Sequence, residues 1–90
     1  MKADRECVTR LLKTARGQIE GVLRMIEEDQ YCIDISTQIM AAQAILRKAN
    51  KEIIRAHLEG CVKDAFSSGS EERMERQIEE ILNVMDSLGK

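Results

Sequence analysis

Residues 31–66 read YCIDISTQIMAAQAILRKANKEIIRAHLEGCVKDAF, and the periodicity of this stretch decides the fold. Apolar side chains recur at Ile35, Ile39, Ala42, Leu46, Ala49, Ile53 and Ala56. Alternating steps of four and three place them on one side of a helix. Only Gly60 interrupts the pattern, at a cost of roughly 1 kcal/mol relative to Ala. A helix of about 35 residues is about 50 Å long at 1.5 Å per residue. A 90-residue chain cannot bury that length by itself. The stretch therefore predicts a dimer built along this helix.

Shorter helical patterns flank it on both sides. The first spans about residues 4–28, with Val8, Leu11 or Leu12, Ala15, Ile19, Val22 and Ile26 as its seam, and decays at Glu27-Glu28-Asp29-Gln30. Gly17 and Gly21 have GxxxG spacing within it; the surrounding charges exclude a membrane helix, so the spacing predicts close packing on the second helix. Ser67-Ser68-Gly69-Ser70 reads as a turn. Ser70 is placed to cap a third helix over about residues 71–88, where Glu71 and Glu72 favour the positive end of the helix dipole. That helix carries Met74, Ile78, Ile81, Met85 and Leu88. No strand, repeat or low-complexity segment is legible. The expected architecture is a single all-α domain over residues 1–90: a three-helix protomer with a long central helix.

Composition narrows the function. The chain has no Pro, no Trp, one Tyr and one Phe, and 33% of it is charged. A formal net charge of −2 gives no global attraction to nucleic acid. No apolar run of about 18 residues spans a membrane, and the N-terminus lacks a signal-peptide core. A cytoplasmic protein is expected. In that compartment three cysteines read as thiols or metal ligands rather than disulfides.

His57 is the only histidine, and Cys61 follows it by one helical turn, so the two share a face. Cys32 lies 25 positions before His57 and joins them only through the fold or a second chain. Two thiolates and one imidazole form a soft, low-coordinate set that suits Cu(I) or Zn and is poor for Mg, Ca or Mn. The plain alternative stands beside this one: Cys often fills core space, and a His after an apolar run can simply pack. Position favours ligation for Cys32, because a helix N-terminus stabilises a thiolate. If His57 ligates, its second ring nitrogen needs a partner, and Tyr31, Glu79 and Glu80 are the candidates. Cys7, beside Val8, reads as a spare thiol.

Charge is unevenly distributed. Lys2, Arg5, Arg10, Lys13, Arg16 and Arg24 lie in the first helix region, and Arg47, Lys48, Lys51 and Arg55 in the middle of the second. The third helix is acidic. A basic face can thus hide within a near-neutral total, although solvated faces with intrahelical ion pairs would give the same composition. No aromatic residues interleave with the basic ones, which counts against a single-strand stacking platform. An enzyme is disfavoured: one His, no acid/base pair, and little chain from which to build a pocket. No catalytic residue is assigned.

Several separated blocks resemble one family. They are Arg16-Gly17-Gln18-Ile19-Glu20-Gly21-Val22, Met25 to Asp34, Thr37-Gln38-Ile39, Ala44-Ile45-Leu46-Arg47-Lys48 and His57-Leu58-Glu59-Gly60-Cys61-Val62. In order and spacing they resemble the CsoR/RcnR-like metal- and stress-sensing repressors, from about Arg10 to Leu88. The resemblance implies an antiparallel four-helix-bundle dimer that assembles as a tetramer, bound to double-stranded operator DNA until an inducer arrives. It implies a Cu(I) sensor, because the copper type uses a Cys from one protomer and a His-x-x-x-Cys pair from the other, matching Cys32, His57 and Cys61. The family's outer tyrosine matches Tyr31. Its outer glutamate falls near Gln77 by counting from Cys61, or at Glu79 or Glu80 by matching the Ile-Glu-Glu-Ile block. Its DNA face maps onto Arg10, Lys13, Arg16, Arg47, Lys48 and Lys51. Same-scaffold rivals sense persulfide or formaldehyde through Cys32 and Cys61. A rival of another class is a copper-buffering protein that does not bind DNA.

Overall fold

The computed structural model describes residues 1–88; Gly89 and Lys90 lie outside the described residues. Helix α1 spans Arg5–Glu27 and α2 spans Cys32–His57. One π-helical turn, Leu58–Val62, leads into the short α3, Lys63–Ser68, and α4 spans Glu71–Leu88. His57, Leu58, Val62 and Lys63 all keep helical dihedrals. From Cys32 to Ser68 the backbone is therefore one rod, and the described chain is three rods with no strand. The expected second helix runs slightly further than its apolar pattern, because Ser67 and Ser68 belong to α3 and only Gly69-Ser70 turns. The side chain of Leu88 lies outside what is described.

Local chemistry sets the ends of the rods. Asp4 caps α1: its Oδ1 accepts from the backbone N–H groups of Glu6 at 3.0 Å and Cys7 at 3.4 Å. At the other end Asp29 takes the left-handed conformation, φ 53°. The Asp29 N–H then reaches the Ile26 carbonyl and the Gln30 N–H reaches the Met25 carbonyl, each at 3.0 Å. This paired closure satisfies carbonyls that the helix end would leave open. Gly69, φ 69°, closes α3 in the same left-handed region without a Cβ penalty. Ser70 Oγ accepts from the Arg73 N–H at 3.3 Å and caps α4 as its sequence position predicts.

α1 and α2 form an antiparallel hairpin, and its seam is narrow. Val8, Ala15 and Val22 of α1 are buried, as are Ala42 and Ala49 of α2. Each set repeats every seven residues, the spacing of a coiled-coil seam. Several other apolar positions of the expected seams form a second, exposed stripe, while Leu11, Ile35, Ile53 and Ala56 are half-buried. Leu12, Ile19 and Ile26 on α1 and Ile39 and Leu46 on α2 are all exposed. The GxxxG expectation fails here. A Cβ on Gly17 would meet nothing within 4 Å, and one on Gly21 would touch only Arg24 Nη2 of its own helix. These glycines do not face α2; the small residues of the seam are alanines.

α4 folds back against the π-turn and α3, and its side chains reach the end of α2. The protomer measures 59 × 27 × 12 Å. Twelve ångströms is the thickness of one helix with its side chains, so the protomer is a single layer. Its radius of gyration of 17.8 Å compares with about 12 Å for a compact chain of this length. No large side chain is fully buried among the described residues. Among those residues no helix is long and apolar enough to cross a membrane.

The two caps should respond with opposite signs in urea unfolding at fixed protein concentration. Asp4→Ala removes a side-chain acceptor and should lower stability by about 1 kcal/mol. Asp29→Gly relieves a left-handed L-residue and should raise it by about 0.5 kcal/mol. A loss with Asp29→Gly would show that the aspartate side chain, not the backbone conformation, holds the turn.

Candidate metal centre

His57 ends α2 and Cys61 lies in the π-turn that follows. The π-turn keeps them adjacent: Cys61 Sγ lies 3.3 Å from His57 Nδ1. On the other side of the ring, Glu80 Oε1 of α4 lies 2.8 Å from His57 Nε2. Nε2 itself is buried, and the carboxylate stands off the straight N–H···O line, so the contact is chiefly one of position. The imidazole is thus held between a sulfur and a carboxylate. A carboxylate beside Nε2 favours the tautomer with its proton there and leaves Nδ1, facing the thiol, free to donate a lone pair. An apolar cavity of about 260 Å³ lies against the ring, between Ile53, Ile54 and Leu58 on one side and Ile81, Val84 and Met85 of α4 on the other.

Of the two glutamate candidates on α4, only Glu80 reaches the ring. Glu79 borders a hollow on α4 with Glu72, Glu75 and Arg76. Gln77, the position reached by counting from Cys61, is half-buried on α4, and its Oε1 is buried without a hydrogen-bond partner. Tyr31 and Cys32 are not brought to His57 within the protomer. Cys32 is the exposed first residue of α2, and Tyr31 before it is exposed. Twenty-five residues of straight helix separate Cys32 from His57 by about 37 Å. Among the described residues no three His, Cys, Asp or Glu side chains converge tightly enough to hold a metal ion within one chain. Cys7 is half-buried on α1 and free.

The six basic residues are all exposed, and none of them forms an ion pair among the described residues. Arg10 and Lys13 border a shallow hollow on α1, and Lys48 and Lys51 border another on α2. Arg55 is different. Hydrogen bonds to Glu52 and then Glu59 raise its pKa above the ordinary guanidinium value, and both carboxylates pair with it. Its charge is spent within the helix, so the free basic stretch of α2 ends at Lys51.

Sequence reasoning missed Lys2 and the reason for Gly60. The Lys2 side chain lies across Gly60, and a Cβ there would stand 3.0 Å from Lys2 Cδ. A glycine within a helical pattern is a known sign of close approach, but nothing in the pattern identified what approaches.

Comparison with known proteins fits this geometry. The model of a metal-sensitive transcriptional repressor family matches residues 4–87. The copper-sensing transcriptional repressor CsoR of Mycobacterium ulcerans is 39% identical over 74 residues, 82% of this chain and 61% of that repressor's length. The protein of the same name from Bacillus subtilis is 36% identical over 87 residues, 97% of this chain and 83% of its own. In three dimensions the chain is similar to the crystal structure of the copper-sensing repressor CsoR with Cu(I) from Geobacillus thermodenitrificans. The TM-score is 0.84 at 35% identity, covering 94% of this chain and 85% of that one. With a family model matched almost end to end and a shared three-rod fold, this chain belongs to the metal-sensitive transcriptional repressors.

Proposed function

We propose that the protein is a Cu(I)-responsive transcriptional repressor of the cytoplasm, without catalytic activity, that holds operator DNA when metal-free and leaves it when Cu(I) binds. The observation that carries this reading is the clamped imidazole: His57 Nδ1 faces Cys61 Sγ at 3.3 Å while Glu80 sits 2.8 Å from Nε2. A packing histidine needs no such arrangement, whereas a ligating one needs its second nitrogen fixed. The similar repressors from M. ulcerans, B. subtilis and G. thermodenitrificans are named for copper sensing, which supports the choice of metal.

The donor set fits Cu(I). Cys61 and Cys32 supply soft thiolate sulfurs and His57 supplies Nδ1. Because Cys32 lies about seven helical turns from His57, the third ligand comes from a second chain, and Tyr31 arrives beside it. The exposed stripes of Leu12, Ile19, Ile26, Ile39 and Leu46 give that chain an apolar face on which to pack. An antiparallel four-helix dimer, and a tetramer of two such dimers, follow as the proposed assembly. Ligands shared by two chains close only in some arrangements of the bundle. Metal therefore favours those arrangements, with a coupling of about 1–3 kcal/mol. The basic residues Arg10, Lys13, Arg16, Arg47, Lys48 and Lys51 engage phosphates in the metal-free arrangement, and losing several at once lowers affinity steeply.

The test is duplex DNA from upstream of the protein's own gene, titrated with protein alone and with Cu(I), Zn(II), a persulfide donor or formaldehyde. Release by stoichiometric Cu(I) alone is expected. Release by the sulfur donor or the aldehyde would assign a different inducer to the same scaffold, and no binding to DNA would favour a copper buffer.

The assignment of the outer carboxylate has its own check. Glu80→Gln should retain Cu(I) binding yet weaken Cu(I)-driven DNA release severalfold, while Glu79→Gln should behave as wild type. Equal behaviour of the two variants would count against Glu80.

Sharing of the site between chains gives a complementation experiment. Cys32→Ala and His57→Ala chains should each lack intact sites. Mixed by subunit exchange, they should recover Cu(I) sites with all three ligands in heterodimers. An absence of recovery would place all the ligands in one chain.

A further inference from the structure

The first four residues do more than lead into a helix. Lys2 crosses the middle of the π-turn, with its Cδ, Cε and Cγ at 3.0, 3.3 and 3.4 Å from where a Gly60 Cβ would stand. Its Nζ lies 3.5 Å from Asp64 Oδ2 on α3. Ala3 is buried although it belongs to no helix, and Asp4 caps α1. Gly60 directly precedes Cys61 and follows His57 by three residues. An arm of three residues thus runs from the sensing turn to the first turn of α1, which carries Arg10, Lys13 and Arg16.

The contact is isolated, which gives it its importance. Among the described residues α1 packs on α2 and on no other helical element, and the π-turn packs on α2, α3 and α4. α1 therefore has two routes to the π-turn: along α2, or directly through the arm. Resting on the repressor reading above, we infer that Lys2 and Gly60 form a clasp that couples the Cys61–His57 turn to the DNA-facing residues of α1. Lys2 is a positioning residue; it touches no metal ligand's donor atom. The apolar stem is the working part. The ammonium–carboxylate pair is exposed on both sides, 52% and 61%, and such pairs are weak and screened. A Cβ at Gly60 would crowd the stem at 3.0 Å and push it outward.

The experiment uses the full-length protein on its upstream duplex at fixed salt. The readout is the ratio of DNA dissociation constants with and without saturating Cu(I). Lys2→Ala should lower this ratio about fivefold or more, a typical size for a residue on a coupling route, with Cu(I) affinity within about threefold of wild type. Lys2→Met keeps the stem and should retain the wild-type ratio. Gly60→Ala should lower the ratio as Lys2→Ala does while raising thermal stability, because Ala is the better helix former. Reduced coupling in a more stable protein is not a folding defect. The double variant should show no more loss than either single one. A wild-type ratio in Lys2→Ala or Gly60→Ala, a loss in Lys2→Met equal to that in Lys2→Ala, or multiplicative losses in the double variant would each overturn the clasp.

Metal-free hydrogen exchange supplies an independent reading. Amides 60–63 should exchange faster in Lys2→Ala than in wild type, and unchanged exchange overturns the clasp whatever copper does. If wild type itself keeps DNA in the presence of Cu(I), the repressor reading fails, and the exchange result alone then decides the clasp.

Discussion

The alanine seam between α1 and α2 governs the rest of the molecule. Val8, Ala15 and Val22 meet Ala42 and Ala49, and small residues let two helices approach closely. The seam is enough to hold a hairpin but consumes little apolar surface. The larger side chains, Leu12, Ile19, Ile26, Ile39 and Leu46, are left on the outer face. In a layer 12 Å thick there is no second layer to cover them. Each exposed aliphatic side chain that becomes buried contributes about 1.5–3 kcal/mol, so association is the large reservoir of stability that the protomer leaves unused. A chain folded this way leaves an apolar face open to a second layer.

The same economy explains why the candidate metal centre is incomplete in one chain. A straight rod holds residues four apart together and residues far apart separate. His57 and Cys61 are joined by local helical geometry, and α4 adds Glu80 from behind. Cys32 is held at the far end of the rod by the same rigidity that makes the rod useful. The π-turn, Leu58–Val62, is where the regular ladder following α2 is relaxed, and it begins directly after His57 and holds Cys61, the two candidate ligands that the chain brings together. Such turns commonly mark sites where a helix trades regularity for function. Here the widened turn also offers Gly60 as a flat spot, and Lys2 rests on it.

Much of this was legible in the sequence. Long heptad patterns gave three rods with ends within a few residues of those observed, because caps such as Asp4 and Ser70 and breakers such as Gly69 act locally. The pairing of His57 with Cys61 was legible for the same reason. What was not legible is what depends on azimuth and distance. One apolar pattern on α1 was read as one seam, whereas Val8, Ala15 and Val22 turn inward and Leu12, Ile19 and Ile26 turn outward; a linear pattern cannot assign two adjacent stripes to two partners. Gly17 and Gly21 had a packing motif's spacing but face away from α2. Choosing between Glu79 and Glu80 required the height and rotation of α4 against α2. Lys2 had no signal at all, since a lysine near a chain end reads as a solvated charge.

Electrostatics then links assembly to DNA. Arg55 is neutralised within its own helix by Glu52 and Glu59, and α4 turns an acidic surface outward. The six candidate DNA-facing cations, Arg10, Lys13 and Arg16 on α1 and Arg47, Lys48 and Lys51 on α2, carry no ion pair among the described residues. A few phosphate contacts give only modest affinity, and each contact adds close to one unit to the salt exponent. Contacts made by two or more rigidly joined hairpins multiply in the equilibrium constant, provided the hairpins stay in register with the duplex. In the proposed assembly, register between hairpins would be set by the outer apolar stripes and by whatever else bridges the chains. A Cys32 thiol from one hairpin closing on the His57–Cys61 pair of another would be such a bridge. On the proposed reading, metal would not have to compete with DNA for any residue; it would have only to fix the hairpins at a spacing that the phosphates do not match.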